Sequence, residues 1–110
     1  GEDGNALEFN KKSGTGCISV TANVAAKLCS EMQKASLERN NPNLQKRAEE
    51  INKMLTPLNK ALFIESNPSP VKYAASLLKL SPENVRLPLV RITDPTRSAI
   101  KKALEHAVLI

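Results

Sequence analysis

The stretch Gly14-Thr15-Gly16-Cys17-Ile18-Ser19-Val20-Thr21-Ala22-Asn23 constrains the fold more than any other part of the chain. It is the one strand signal in a sequence that otherwise reads as helix after helix. Cys17, Ile18 and Val20 form a short run containing β-branched residues, two glycines precede it, and Asn23 follows. From Gly16 to Val20 only Ser19 is polar, the pattern of a strand covered on both faces in a parallel sheet. A single strand cannot satisfy its own backbone N–H and C=O groups. No convincing partner strand occurs elsewhere in the 110 residues. Either these residues do not form a strand, or most of their sheet lies on chain that is not present.

The rest of the sequence is helical by period. Asn5 is placed to cap a short helix to about Lys11, with Leu7 and either Phe9 or Ala6 turned inward. Asn23 is placed to cap a helix to about Glu38 whose inner face is Val24, Ala25, Leu28, Met32 and Ala35. After the Asn40–Asn43 break, Leu44, Ala48, Ile51, Leu55, Leu58 and Leu62 make a long stripe. Pro57 falls inside it. The apolar period continues past the proline, which predicts a kink and not a stop. Ser69-Pro70 opens a helix to about Leu78, with Val71, Ala74, Ala75 and Leu78 inward. Residues 84–93 read as irregular. Asp94-Pro95 opens the last helix, with Ile100, Ala103, Leu104, Ala107 and Val108 inward and Lys101, Lys102 and His106 near its negative end.

Composition narrows the function classes. The length suits one modest core, and with 3% aromatic residues and no Trp that core must be aliphatic. Cys17 and Cys29 have neither metal-ligand nor CxxC spacing, so buried free thiols in a reducing cytoplasm are the expectation. The apolar runs are too short to span a bilayer, and no signal peptide is visible. The opening Gly1-Glu2-Asp3-Gly4, without an initiator Met, reads as the middle of a longer chain. The net charge of +5 admits acidic partners, and a small basic nucleic-acid-binding module is a competing class. Its required basic stripe is missing, because lysines and arginines are spread over all elements in the manner of a solvated surface.

Four motifs carry a resemblance. Gly16-Cys17-Ile18-Ser19-Val20-Thr21-Ala22-Asn23-Val24 resembles the last barrel strand and the following helix start of the dihydrodipicolinate synthase family. Asn67-Pro68-Ser69-Pro70-Val71-Lys72 resembles that family's Asn-Pro-x-Pro-Val-Lys segment, and Arg86-Leu87-Pro88 its Arg-Leu-Pro segment. Gly1-Glu2-Asp3 is similar to the Gly-Asp-Asp loop ending its seventh strand. The four occur in order at fitting distances, so the resemblance covers essentially the whole chain.

The resemblance implies an α/β fold: the C-terminal part of a (β/α)8 barrel, with residues 1–38 the last helix–strand–helix section and residues 39–110 a C-terminal helical domain. This piece itself would be mainly helical. It implies a homotetrameric, cytoplasmic enzyme that condenses pyruvate with L-aspartate-4-semialdehyde in diaminopimelate and lysine synthesis. A barrel lysine forms a Schiff base with pyruvate, and no cofactor or metal is required. That lysine and the catalytic tyrosines lie earlier in the family's order, so no catalytic residue falls in this chain, and alone it is expected to be inactive. Its partner would be the remaining N-terminal barrel portion. N-acetylneuraminate lyase, a sister pyruvate aldolase, is the alternative within the same fold.

Two site residues are carried over from the family, both through backbone. Ile18 would present its carbonyl to pyruvate, and Gly1, as a strand-end glycine, would let backbone approach the substrate. Lys72 is a poor Schiff-base candidate, because it sits in the first turn of an amphipathic helix and not in a desolvated pocket. His106 has no second ligand at metal spacing, Ser19 has no triad partners, and Gly14-Thr15-Gly16 is too short for a phosphate loop. Alone, the half-open barrel face would be an exposed apolar patch, which predicts self-association.

Overall fold

The computed structural model describes all of residues 1–110. A 3-10 turn at Asp3–Asn5 leads into α1 (Ala6–Lys11), and a second at Thr21–Asn23 precedes α2 (Ala26–Leu37). Then come α3 (Pro42–Ala61), α4 (Ser69–Leu77) and α5 (Asp94–His106). The expected strand is absent. Residues 15–19 have no regular secondary structure and make no backbone–backbone hydrogen bond. A strand is defined by its ladder, and no other stretch of this chain supplies one.

α3 is the mast of the structure. Asn41 caps it by accepting from the Leu44 N–H at 3.1 Å, and Pro42 fills the first turn, where a missing N–H costs nothing. The helix continues through Pro57, as the unbroken stripe requires. Ala48, Ile51, Leu55, Leu58 and Leu62 are buried, whereas Leu44 is at the exposed end of the stripe. α2 and α5 pack on this mast, and α4 packs on α5. The core joins Val24, Met32 and Ala35 to Val71, Ala74, Ile100, Ala103 and Leu104, aliphatic apart from Tyr73.

In α1 the Ala6 alternative is the one realised: Ala6 and Leu7 are buried together with Asn10, and Phe9 is left 58% exposed. Three details differ from the sequence expectation. α2 starts at Ala26, with Ala25 and not Asn23 at its N-cap, because residues 21–23 form the 3-10 turn. Of the expected inner face Val24, Ala25, Met32 and Ala35 are buried, but Leu28 is only half-buried, and Cys29 and Ser36 are buried beside them. α5 ends at His106, so Val108 lies outside it and is 78% exposed.

Three helices end in one and the same way. Ser13, Lys79 and Val108 have φ of 73°, 60° and 58°. Each is followed by a residue whose N–H reaches back five positions: Gly14 to Phe9 O (2.8 Å), Leu80 to Ala75 O (2.9 Å) and Leu109 to Leu104 O (2.9 Å). These are Schellman terminations, built without the glycine usual at the left-handed position. No sequence signal announced them, and Val108 is the costliest case because it is β-branched.

Candidate functional site

The first residues and the 15–20 stretch meet at one end of the molecule. Ile18 is 89% exposed, and its carbonyl oxygen lies beside Gly1, where an added Cβ would come to 3.5 Å. The two residues expected to share a site through backbone are therefore neighbours. A methyl group at Gly1 would make an ordinary contact with that oxygen. A cleft of about 220 Å³, lined among others by Gly1, Glu2, Phe9, Gly16 and Cys17, opens between the two segments.

The carboxylate of Asp3 holds them together. Asp3 is only 6% exposed. Its Oδ2 accepts from the N–H groups of Val20 (2.9 Å) and Thr21 (3.3 Å), and its Oδ1 accepts from the Ser19 hydroxyl. Ser19 Oγ in turn accepts from the Ala22 N–H at 2.9 Å. The first N–H groups of the 21–23 turn have no partner within the turn itself, so Asp3 and Ser19 together serve as its cap. One residue further on, the fully buried Thr21 donates to Asn59 Oδ1 at 2.6 Å, fixing the turn to α3.

The α1 side is pinned as well. Arg39 donates through Nε to Asn10 O at 2.7 Å and through a terminal nitrogen to Gly14 O. Asn10, fully buried, donates to Gln33 Oε1 (2.7 Å) and Ser36 Oγ (2.8 Å).

Both cysteine thiols are held toward the protonated form. Burial, reinforced by the charge of Asp3, pushes the Cys29 thiol up to about 11, and the same two causes raise Cys17. Both are free, Cys29 buried and Cys17 partly so. Lys72 stands in α4 and lines a separate cleft with Val20, Asn23 and Asn67. His106 Nε2 lies 3.4 Å from Lys53 O at the end of α5. No group of three or more His, Cys, Asp and Glu side chains is placed to hold a metal. Ile18 and Gly1, expected from the family pattern, lie side by side, and nothing in the sequence pointed to Asp3, Thr21 or Asn59 around them. A single Asp in a loop carries no local sign that its partners lie sixteen to eighteen residues away.

The model of the dihydrodipicolinate synthetase family matches residues 1–107. Among curated proteins, the 4-hydroxy-tetrahydrodipicolinate synthase of Pelagibacter ubique is 57% identical over all of this chain and 37% of its own length. That of Bartonella tribocorum is 48% identical over all of this chain and 36% of its own. Among solved structures, the chloride-inhibited dihydrodipicolinate synthase of Acinetobacter baumannii complexed with pyruvate superposes with a TM-score of 0.90 at 34% identity. It too covers all of this chain and 36% of its own. The Thermotoga maritima enzyme gives 0.85 at 36% identity over the same shares. The chain thus spans little more than a third of the length of the relatives it matches. The fold is that of the C-terminal, mainly helical part of a (β/α)8-barrel enzyme. The chain belongs to the dihydrodipicolinate synthetase family.

Proposed function

We propose that this chain acts as the C-terminal third of a 4-hydroxy-tetrahydrodipicolinate synthase, condensing pyruvate with L-aspartate-4-semialdehyde in lysine and diaminopimelate synthesis. One observation carries the reading: the likeness to these synthases runs through the whole chain, reaching 57% identity. Residues 1–38 complete the barrel and residues 39–110 form the helical domain behind it. The missing ladder of residues 15–19 is what a barrel strand separated from its neighbours would show.

In this reading the nucleophile is a lysine of the N-terminal barrel portion. Its amine adds to the keto carbon of pyruvate and water leaves, giving an iminium. The iminium draws electrons from the methyl group, which gives up a proton and attacks the aldehyde. This chain contributes no group to bond making. It supplies the Ile18 carbonyl and the Gly1 backbone at the rim where barrel chemistry is carried out. No cofactor is needed. No helix is long and apolar enough to cross a membrane. A homotetramer in the cytoplasm fits this family role.

The test is genetic. The full-length protein should restore growth of a bacterium that lacks its own synthase, without added diaminopimelate, and the 110-residue chain alone should not. Failure of the full-length protein, expressed and soluble, would refute the reading.

A further inference from the structure

We infer that Asp3 is a positioning residue for pyruvate, acting through the Ile18 carbonyl; the inference rests on the function proposed above. The observation is the cap that Asp3 builds across two segments. Its carboxylate is buried, and it gathers the Ser19 hydroxyl and the N–H groups of Val20 and Thr21. These are the three residues that immediately follow Ile18. On its own segment Asp3 is two residues from Gly1, where an added Cβ would lie 3.5 Å from the Ile18 oxygen. Residues 15–19 have no backbone–backbone hydrogen bond of their own. Within this chain, the direction of the Ile18 carbonyl is therefore set from its C-terminal side by one carboxylate.

A carbonyl oxygen is useful at a keto-acid site only as an acceptor in a fixed place. A small error in placement weakens binding disproportionately. Hydrogen bonds to a carboxylate are stronger than neutral ones, so an amide at Asp3 holds the turn less firmly. Asp3 touches no reacting atom in this scheme, and the aldehyde is not its concern. Its removal should therefore move one substrate and not the other.

The experiment is steady-state kinetics on the full-length protein with Asp3→Asn and Ser19→Ala. Borohydride trapping of the pyruvate imine provides a second readout. Asp3→Asn should raise KM for pyruvate about tenfold, leave KM for the aldehyde within about twofold, and raise the pyruvate concentration for half-maximal trapping in parallel. Ser19→Ala keeps both backbone donors and should give a smaller shift, about threefold, in the same direction. A merely structural role lowers the amount of active enzyme and moves neither KM. Unchanged pyruvate KM and trapping in Asp3→Asn would overturn the inference. If Asp3→Asn fails to fold, an unchanged pyruvate KM in Ser19→Ala overturns it just as well. Absence of any trapped pyruvate in the unaltered full-length protein would instead strike the proposed function, and this inference with it.

Discussion

Two glycines two residues apart should respond to alanine in opposite ways. Neither has a positive φ, so backbone strain plays no part. At Gly14 a Cβ would come to 2.1 Å from Phe9 Cδ2 and 2.5 Å from Phe9 O. The ring can move: Phe9 is already 58% exposed, and swinging it out forfeits only what burial remains, less than half of a full one, about 1 kcal/mol. The carbonyl cannot move, because it closes the α1 termination by accepting from Gly14 N–H at 2.8 Å. Shifting it costs that bond, about 1 kcal/mol, and disturbs the charged bond from Arg39 to Gly14 O, worth about 1.5 kcal/mol. Gly14→Ala should therefore destabilise by about 2–4 kcal/mol. At Gly16 a Cβ meets nothing within 4 Å, so Gly16→Ala should be neutral or stabilising by up to about 1 kcal/mol through the unfolded state. Equilibrium urea unfolding followed by helical circular dichroism, with unchanged slope, measures both. A Gly14→Ala variant within about 0.5 kcal/mol of the parent, or a Gly16→Ala variant equally damaged, would refute the reasoning.

Two further outcomes follow from the helix ends. Val108 holds a left-handed conformation at the α5 termination, so Val108→Gly should stabilise by about 1 kcal/mol, read as a higher urea midpoint; a lower midpoint would count against the termination described. Glu65 accepts from Thr93 N–H (2.9 Å) and Thr93 Oγ (3.0 Å) at the start of α5, and hydrogen bonds from Thr96 and then Thr93 hold its carboxyl below the usual value of 4.5. A depressed folded-state pKa stabilises fully above the unfolded value and is lost as pH falls through the folded one. Acid unfolding curves of the parent and Glu65→Gln should therefore converge below pH 4.5, and parallel curves would show that Glu65 contributes nothing there.

What the sequence disclosed was whatever is written locally. The α3 stripe from Ala48 to Leu62 repeats at helical spacing, and the Asp94-Pro95 start carries its own chemistry, so these elements fall where expected. Asn23 misled because its turn is capped from a distance by Asp3, which delays α2 to Ala26. The burial of Ser36 on α2 follows from a partner on α1, since Asn10 reaches it across twenty-six positions. Val108 continued the apolar period of α5, but the chain had already turned back through Leu109 to Leu104. Strand propensity at residues 16–20 was legible, whereas the ladder that would realise it depends on residues this chain does not contain. The site was half legible. Ile18 and Gly1 came from the family pattern, and the carboxylate that joins them came only from the fold.

In the function proposed above, this chain is one part of a lysine-imine enzyme and does not hold the nucleophile. Incubation with pyruvate, reduction with borohydride and intact-mass measurement test it directly. No adduct is expected on the 110-residue chain, and a single reduced pyruvate adduct is expected on the full-length protein, mapping outside these 110 residues. An adduct on the 110-residue chain, at Lys72 or any other lysine, would contradict it.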